Sequence, residues 1–111
     1  MVKQVPEELS LEQGRILYLD LKTSLKTSPP RIVLDCSKVH HFDSTGIQVL
    51  LLCLEDAIKR NGDVKLAAVS PAATAILELT RVNALFETFD DISTAVNSYE
   101  QFQANAFQQG A

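Results

Sequence analysis

A chain of 111 residues, 46% of them apolar, is long enough for one hydrophobic core and short for two ordinary domains. Its 14 acidic residues against 10 basic ones give a net charge of −4, and the basic residues form no stripe, which argues against a nucleic-acid partner. The 2 cysteines lack zinc or disulfide-framework spacing, and no apolar run has the length of a signal-peptide core or a membrane span, so a cytoplasmic protein without membrane contact is expected.

Val2 to Val5 reads as a short edge strand, stopped by Pro6, which has no N–H to donate. Ser10-Leu11-Glu12-Gln13 has the form of a capping box and opens a first helix carrying Leu11, Leu17, Leu21 and Leu25. Ile16, Tyr18 and Leu19 widen its apolar face, and Gly14 weakens its propensity. Ser28-Pro29-Pro30 ends that helix, and Ile32-Val33-Leu34 follows as a continuous apolar run, the pattern of a strand covered on both faces.

A second helix opens around Gly46 and ends near Asn61-Gly62. Its core face is expected from Ile47, Leu50, Leu51, Leu54 and Ile58. Val49, Leu52 and Cys53 add further apolar surface, favouring burial against a neighbouring helix over an exposed partner surface. Val64 to Val69 is the next strand, and Ser70-Pro71 caps a third helix expected to bury Ile76 and Leu79. Leu85 to Phe89 alternates as an edge strand would, and Asp90-Asp91 caps a last helix with Ile92, Ala95, Val96 and Tyr99 on its buried side. Residues 103–111, dominated by amides, are expected to fray. Strict alternation of strands and helices predicts an α/β fold with a mostly parallel or mixed four-stranded sheet and about four helices.

In such a sheet functional groups gather outside the carboxyl ends of the strands, which is where Phe42-Asp43-Ser44-Thr45-Gly46 falls. As plain structure, Asp43 or Ser44 caps the helix and Gly46 permits a close approach by the sheet or by another chain. Ser44 would also stand where unpaired N–H groups and the helix dipole favour a phosphate, so a switch suits it better than catalysis. A serine hydrolase is not indicated, because Gly-x-Ser-x-Gly is absent and at most one of His40 and His41 can face Ser44 from the end of a strand. The histidines lack partners at metal-ligand spacing and the glycines are scattered, so neither a metal nor a nucleotide cofactor is expected.

The run Ile32-Val33-Leu34-Asp35-Cys36-Ser37-Lys38-Val39, followed by Phe42-Asp43-Ser44-Thr45-Gly46-Ile47, closely resembles the STAS-domain family, specifically bacterial anti-sigma factor antagonists. The similarity continues through Leu66 to Pro71, Leu77 to Thr80 and Leu85 to Asp90, covering most of residues 8 to 98. The resemblance implies a single non-enzymatic STAS domain over residues 1–111, with Ser44 phosphorylated by an anti-sigma factor that is itself a serine kinase. It implies that the unphosphorylated form binds that kinase and frees a sigma factor, and that a serine phosphatase restores Ser44. Phe42, Asp43, Thr45, Gly46, Ile47 and Gln48 are the positions it assigns to partner binding. Two features depart from the family pattern. One strand rather than two precedes the first helix, and Gln48 stands where many relatives have glycine. The alternative reading is a STAS interaction subunit of a lipid-transport or stressosome-like assembly.

Overall fold

The computed structural model describes residues 1–26 and 29–99. The tail expected at 103–111 lies outside the described residues. The chain runs β1 (Val2–Gln4), β2 (Glu8–Leu9), α1 (Leu11–Leu25), β3 (Arg31–Asp35), β4 (His41–Phe42), α2 (Ser44–Lys59), β5 (Asp63–Ala67), α3 (Pro71–Leu79), a 3₁₀ turn (Val82–Ala84) and β6 (Thr88–Phe89). A fourth helix, α4, follows over residues 92–99.

β1, β3, β5 and β6 form one parallel sheet in that order, so each strand is laid beside its predecessor on the same side. Right-handed crossovers then carry α1, α2 and α3 to one face of the sheet. The packing agrees: Ile32, Leu34, Val64 and Leu66 join the main core with residues of those three helices. Val33 and Ala67, on the alternate positions, face the other way and pack with Ala95 of α4 and with Phe89, Ile92, Val96 and Tyr99. The central strands are therefore apolar in continuous runs because both of their faces are covered.

The caps follow the sequence. Ser10 Oγ accepts from Gln13 N at 3.3 Å, Ser70 Oγ from Ala73 N at 3.2 Å, and Asp91 Oδ1 from Thr94 N at 2.7 Å. Both thiols are buried, which pushes Cys36 and Cys53 up to about 12. One polar side chain is buried in the sheet: Lys65 on β5 is 6% exposed. Its Nζ lies 2.6 Å from Ser98 Oγ, 3.0 Å from Glu87 Oε1 and 4.1 Å from the centre of the Tyr99 ring. The Tyr99 hydroxyl in turn accepts from Ile32 N at 3.2 Å and lies 2.8 Å from the carbonyl oxygens of Ile32 and Asp63. Polar pins as well as apolar contacts thus hold α4 on the sheet.

Several expectations are corrected. Two strands, not one, precede α1: β2 pairs in parallel with β4, Glu8 opposite His41 and Leu9 opposite Phe42. On α1 the buried stripe is Gly14, Leu17, Leu21 and Leu25, while Leu11 stays exposed at the first helical position. On α2 the stripe turns toward Val49, Cys53 and Ala57 because α1 also covers this helix. Val49 lies directly against Gly14, and Ile58 is left exposed. Of the added apolar residues on α2, Val49 and Cys53 are buried and Leu52 is 42% exposed. On α3, Ala73 and Leu77 are buried and Leu79 is 85% exposed. Leu79 lies about 200° around the helix from Leu77, so the two cannot share a face. The last edge strand is confined to Thr88–Phe89, because Arg81 takes a left-handed conformation (φ 61°) and opens a 3₁₀ turn first.

Candidate functional site

The site is the start of α2, carried to the carboxyl end of the sheet by β3 and β4. Asp43 is the cap, in extended conformation, and Ser44 is the first helical residue. Asp43 Oδ1 accepts from Gly46 N at 2.8 Å and from Thr45 Oγ1 at 2.6 Å, and the Asp43 carbonyl accepts from Ile47 N at 3.1 Å. These donors, the Thr45 hydroxyl above all, hold the Asp43 carboxyl below its ordinary range. The carboxylate is therefore ionised and fixed. Ser44, by contrast, is exposed, and among the described residues its hydroxyl makes no hydrogen bond.

The floor of the site comes from β2 and β4. Asp43 N donates to Leu9 O at 3.2 Å, and His40 N to Glu7 O at 2.8 Å. A Cβ on Gly46 would lie 1.9 Å from Leu9 O, so Gly46 is required for β2 to cross over the helix start. The close approach open between sheet and another chain from the sequence is thus taken by the chain's own strand. Behind this floor, Ser70 Oγ donates to Val39 O at 2.7 Å, tying the start of α3 to the segment before β4.

Of the residues assigned from the sequence, Ser44 and Gln48 are exposed and Asp43 and Thr45 half-buried. Phe42, Gly46 and Ile47 are buried and shape the surface from below. His40 and His41 are exposed beside it. Sequence reasoning missed Leu9 and Ser70 as supports of the site. Ser70 was legible as a cap, but its second bond, to Val39, joins residues 31 positions apart. Ser44 does not line the cleft between α3 and the end of β6, nor the one between the β1–β2 connection and α1. Among the described residues no group of His, Cys, Asp and Glu could hold a metal ion.

The STAS domain family matches residues 6–95, which includes every element from β2 to the first half of α4. The chain belongs to the STAS family. Solved STAS folds superpose on it closely. A proposed anti-sigma factor antagonist from Thermotoga maritima, TM1081, gives a TM-score of 0.76 at 22% identity, covering 87% of this chain and 86% of that one. An anti-sigma-factor antagonist (STAS) domain protein from Planctomyces limnophilus gives 0.75 at 16% identity, covering 87% of each chain. A sulfate transporter family protein from Wolinella succinogenes gives 0.77 at 21% identity, covering 94% of this chain and 86% of that one. At these identities the likeness establishes the STAS fold, which these relatives use in more than one setting. No helix among the described residues is long and apolar enough to cross a membrane.

Proposed function

We infer that this STAS domain is a phosphorylation-switched anti-sigma factor antagonist, with Ser44 as the phosphoacceptor. The observation that carries the reading is the Ser44 hydroxyl, exposed and without a hydrogen bond among the described residues, at the first turn of a capped helix beside an ionised carboxylate. The unphosphorylated surface around Ser44 and Gln48 docks on an anti-sigma factor that is a serine kinase, and the sigma factor is released. Phosphorylation adds a charge of about −1.5 to −2 next to Asp43, and inside a packed interface that charge is repelled and costly to desolvate. A serine phosphatase resets the switch. The fold itself need not change, because the helix dipole tolerates a negative group at this position. The protein acts in the cytoplasm and performs no catalysis of its own.

The test is to incubate the chain with ATP and its cognate kinase and map the phosphosite by mass spectrometry, alongside a binding measurement on Ser44→Asp. Phosphorylation at Ser44, and loss of kinase binding by Ser44→Asp at unchanged thermal stability, are expected. Modification elsewhere with Ser44 untouched sinks the reading, as does full-strength binding by Ser44→Asp.

The structural likeness to the Wolinella succinogenes protein favours one second reading, a STAS interaction subunit of a membrane-transport assembly. In that case the chain purifies with membrane proteins in a pull-down, and Ser44→Asp leaves the association intact.

A further inference from the structure

Two hydroxyls stand side by side at the start of α2, and the structure treats them differently. The Thr45 hydroxyl is bound to Asp43 Oδ1 at 2.6 Å, half-buried, and that same oxygen is fixed from the other side by Gly46 N at 2.8 Å. The Ser44 hydroxyl is exposed and makes no such bond among the described residues. Adjacent helical residues differ by only about 100° around the axis, so a kinase seated on this helix start has both within reach. Position alone does not choose between them.

We propose that Asp43 selects the phosphoacceptor: by holding the Thr45 hydroxyl it confines phosphoryl transfer to Ser44. The proposal rests on the reading of Ser44 as acceptor given above. In the transfer the hydroxyl oxygen bonds to the γ-phosphorus of ATP as the bond to the β,γ-bridging oxygen breaks. ADP leaves with that electron pair, and the hydroxyl proton passes to a base of the kinase. Ser44 can present its oxygen directly. Thr45 must first give up its bond to a charged acceptor and turn out of the first turn of the helix.

Capping does not by itself require a carboxylate here. Ser10 and Ser70 cap α1 and α3 through a hydroxyl, at 3.3 and 3.2 Å. Asp91 caps α4 and also meets the hydroxyl two residues on, but its distance to Ser93 Oγ is 3.3 Å, a looser hold than the one on Thr45. Asp43→Ser therefore keeps a cap of a kind this fold already uses while removing the second arm.

The experiment has two readouts. In the first, three-bond couplings to Thr45 Cγ2 are measured by NMR on the purified chain without any kinase. One χ1 rotamer is expected in the wild type and rotamer averaging in Asp43→Ser. Averaging in the wild type, or an unchanged single rotamer in Asp43→Ser, overturns the proposal. In the second, tagged chains are expressed in the native cells and their phosphopeptides mapped. Wild type carries phosphate on Ser44, and Ser44→Ala carries none. The Asp43→Ser, Ser44→Ala double variant carries phosphate on Thr45, the modification that Ser44→Ala with Asp43 intact lacks, as expected for releasing that hydroxyl from a charged acceptor. Thr45 phosphorylation in Ser44→Ala with Asp43 intact overturns the proposal, and so does an unmodified double variant that retains the wild-type circular dichroism. A wild-type chain with neither hydroxyl phosphorylated refutes the proposed function instead, and the NMR couplings still decide the role of Asp43.

Discussion

Replacing Gly46 by alanine puts the crossing of β2 over α2 to a direct test. Gly46 has an ordinary helical backbone, so alanine meets no conformational strain and gains up to about 1 kcal/mol of helix propensity. Against this, the new Cβ would lie 1.9 Å from Leu9 O where ordinary contact begins at 3.4 Å, so β2 has to withdraw by about 1.5 Å. Withdrawal breaks the Asp43 N to Leu9 O bond and loosens the pairing of Leu9 with Phe42. Overpacking of this kind costs roughly 1–3 kcal/mol, and each lost backbone bond about 1 kcal/mol net. The balance is a destabilisation of about 1–3 kcal/mol, a fall in Tm on the order of 10 °C. Urea unfolding monitored by circular dichroism measures the first quantity, and amide exchange at the start of α2 locates it. Gly14→Ala is the milder comparison, since its new Cβ would meet the Val49 side chain at 2.9 Å and not a backbone carbonyl at 1.9 Å, and a smaller loss is expected. A Gly46→Ala chain as stable as wild type would refute the reasoning, because it would mean that the crossing of β2 does not depend on the missing side chain.

Three further predictions concern the same structure. Tyr99→Phe removes the hydroxyl that joins α4 to Ile32 and Asp63, and a loss of about 1–2 kcal/mol in urea titrations, with faster amide exchange in α4, is expected. The folded Asp43 carboxyl titrates below its unfolded value, so its contribution is present above that value, near pH 3.8, and is lost as pH falls through the folded pKa. NMR titration of Asp43 in Thr45→Val checks the cause, and the pKa moves back up toward 3.8 when the hydroxyl is gone. Both thiols, buried and pushed up to about 12, stay unlabelled by a thiol reagent at pH 8 and react only when urea unfolds the chain.

The order of elements and the location of the site were legible because local signals carried them. Ser10, Ser70 and Asp91 each cap the helix that their position predicts, and the apolar run of β3 declares its two covered faces. Side-chain direction was less legible where a second helix intervenes. Periodicity alone gives α2 one stripe, whereas the packing of Gly14 on Val49 turns that stripe toward α1. β2 was invisible because two residues set up no period, and its existence depends on β4, more than 30 positions away. At the site, the Asp43-Ser44-Thr45-Gly46 motif was plain. What it could not tell was that Gly46 serves the chain's own strand, or that Asp43 grips Thr45 and not Ser44.

The placement of α4 bears on how the chain is made. In order of synthesis the three helices of the main face are complete before residues 92–99 emerge, and until then Val33 and Ala67 stand on a bare sheet face. A bare parallel sheet with an apolar face invites association with other unfinished chains. Lys65 lies on that same face, between its neighbours on β5. While α4 is absent its ammonium group is solvated and repels a second such face, acting as a gatekeeper against aggregation. Once α4 docks, Ser98 and the Tyr99 ring close over the charge that Glu87 flanks from just before β6, so one side chain protects the nascent sheet and then fixes the helix that covers it.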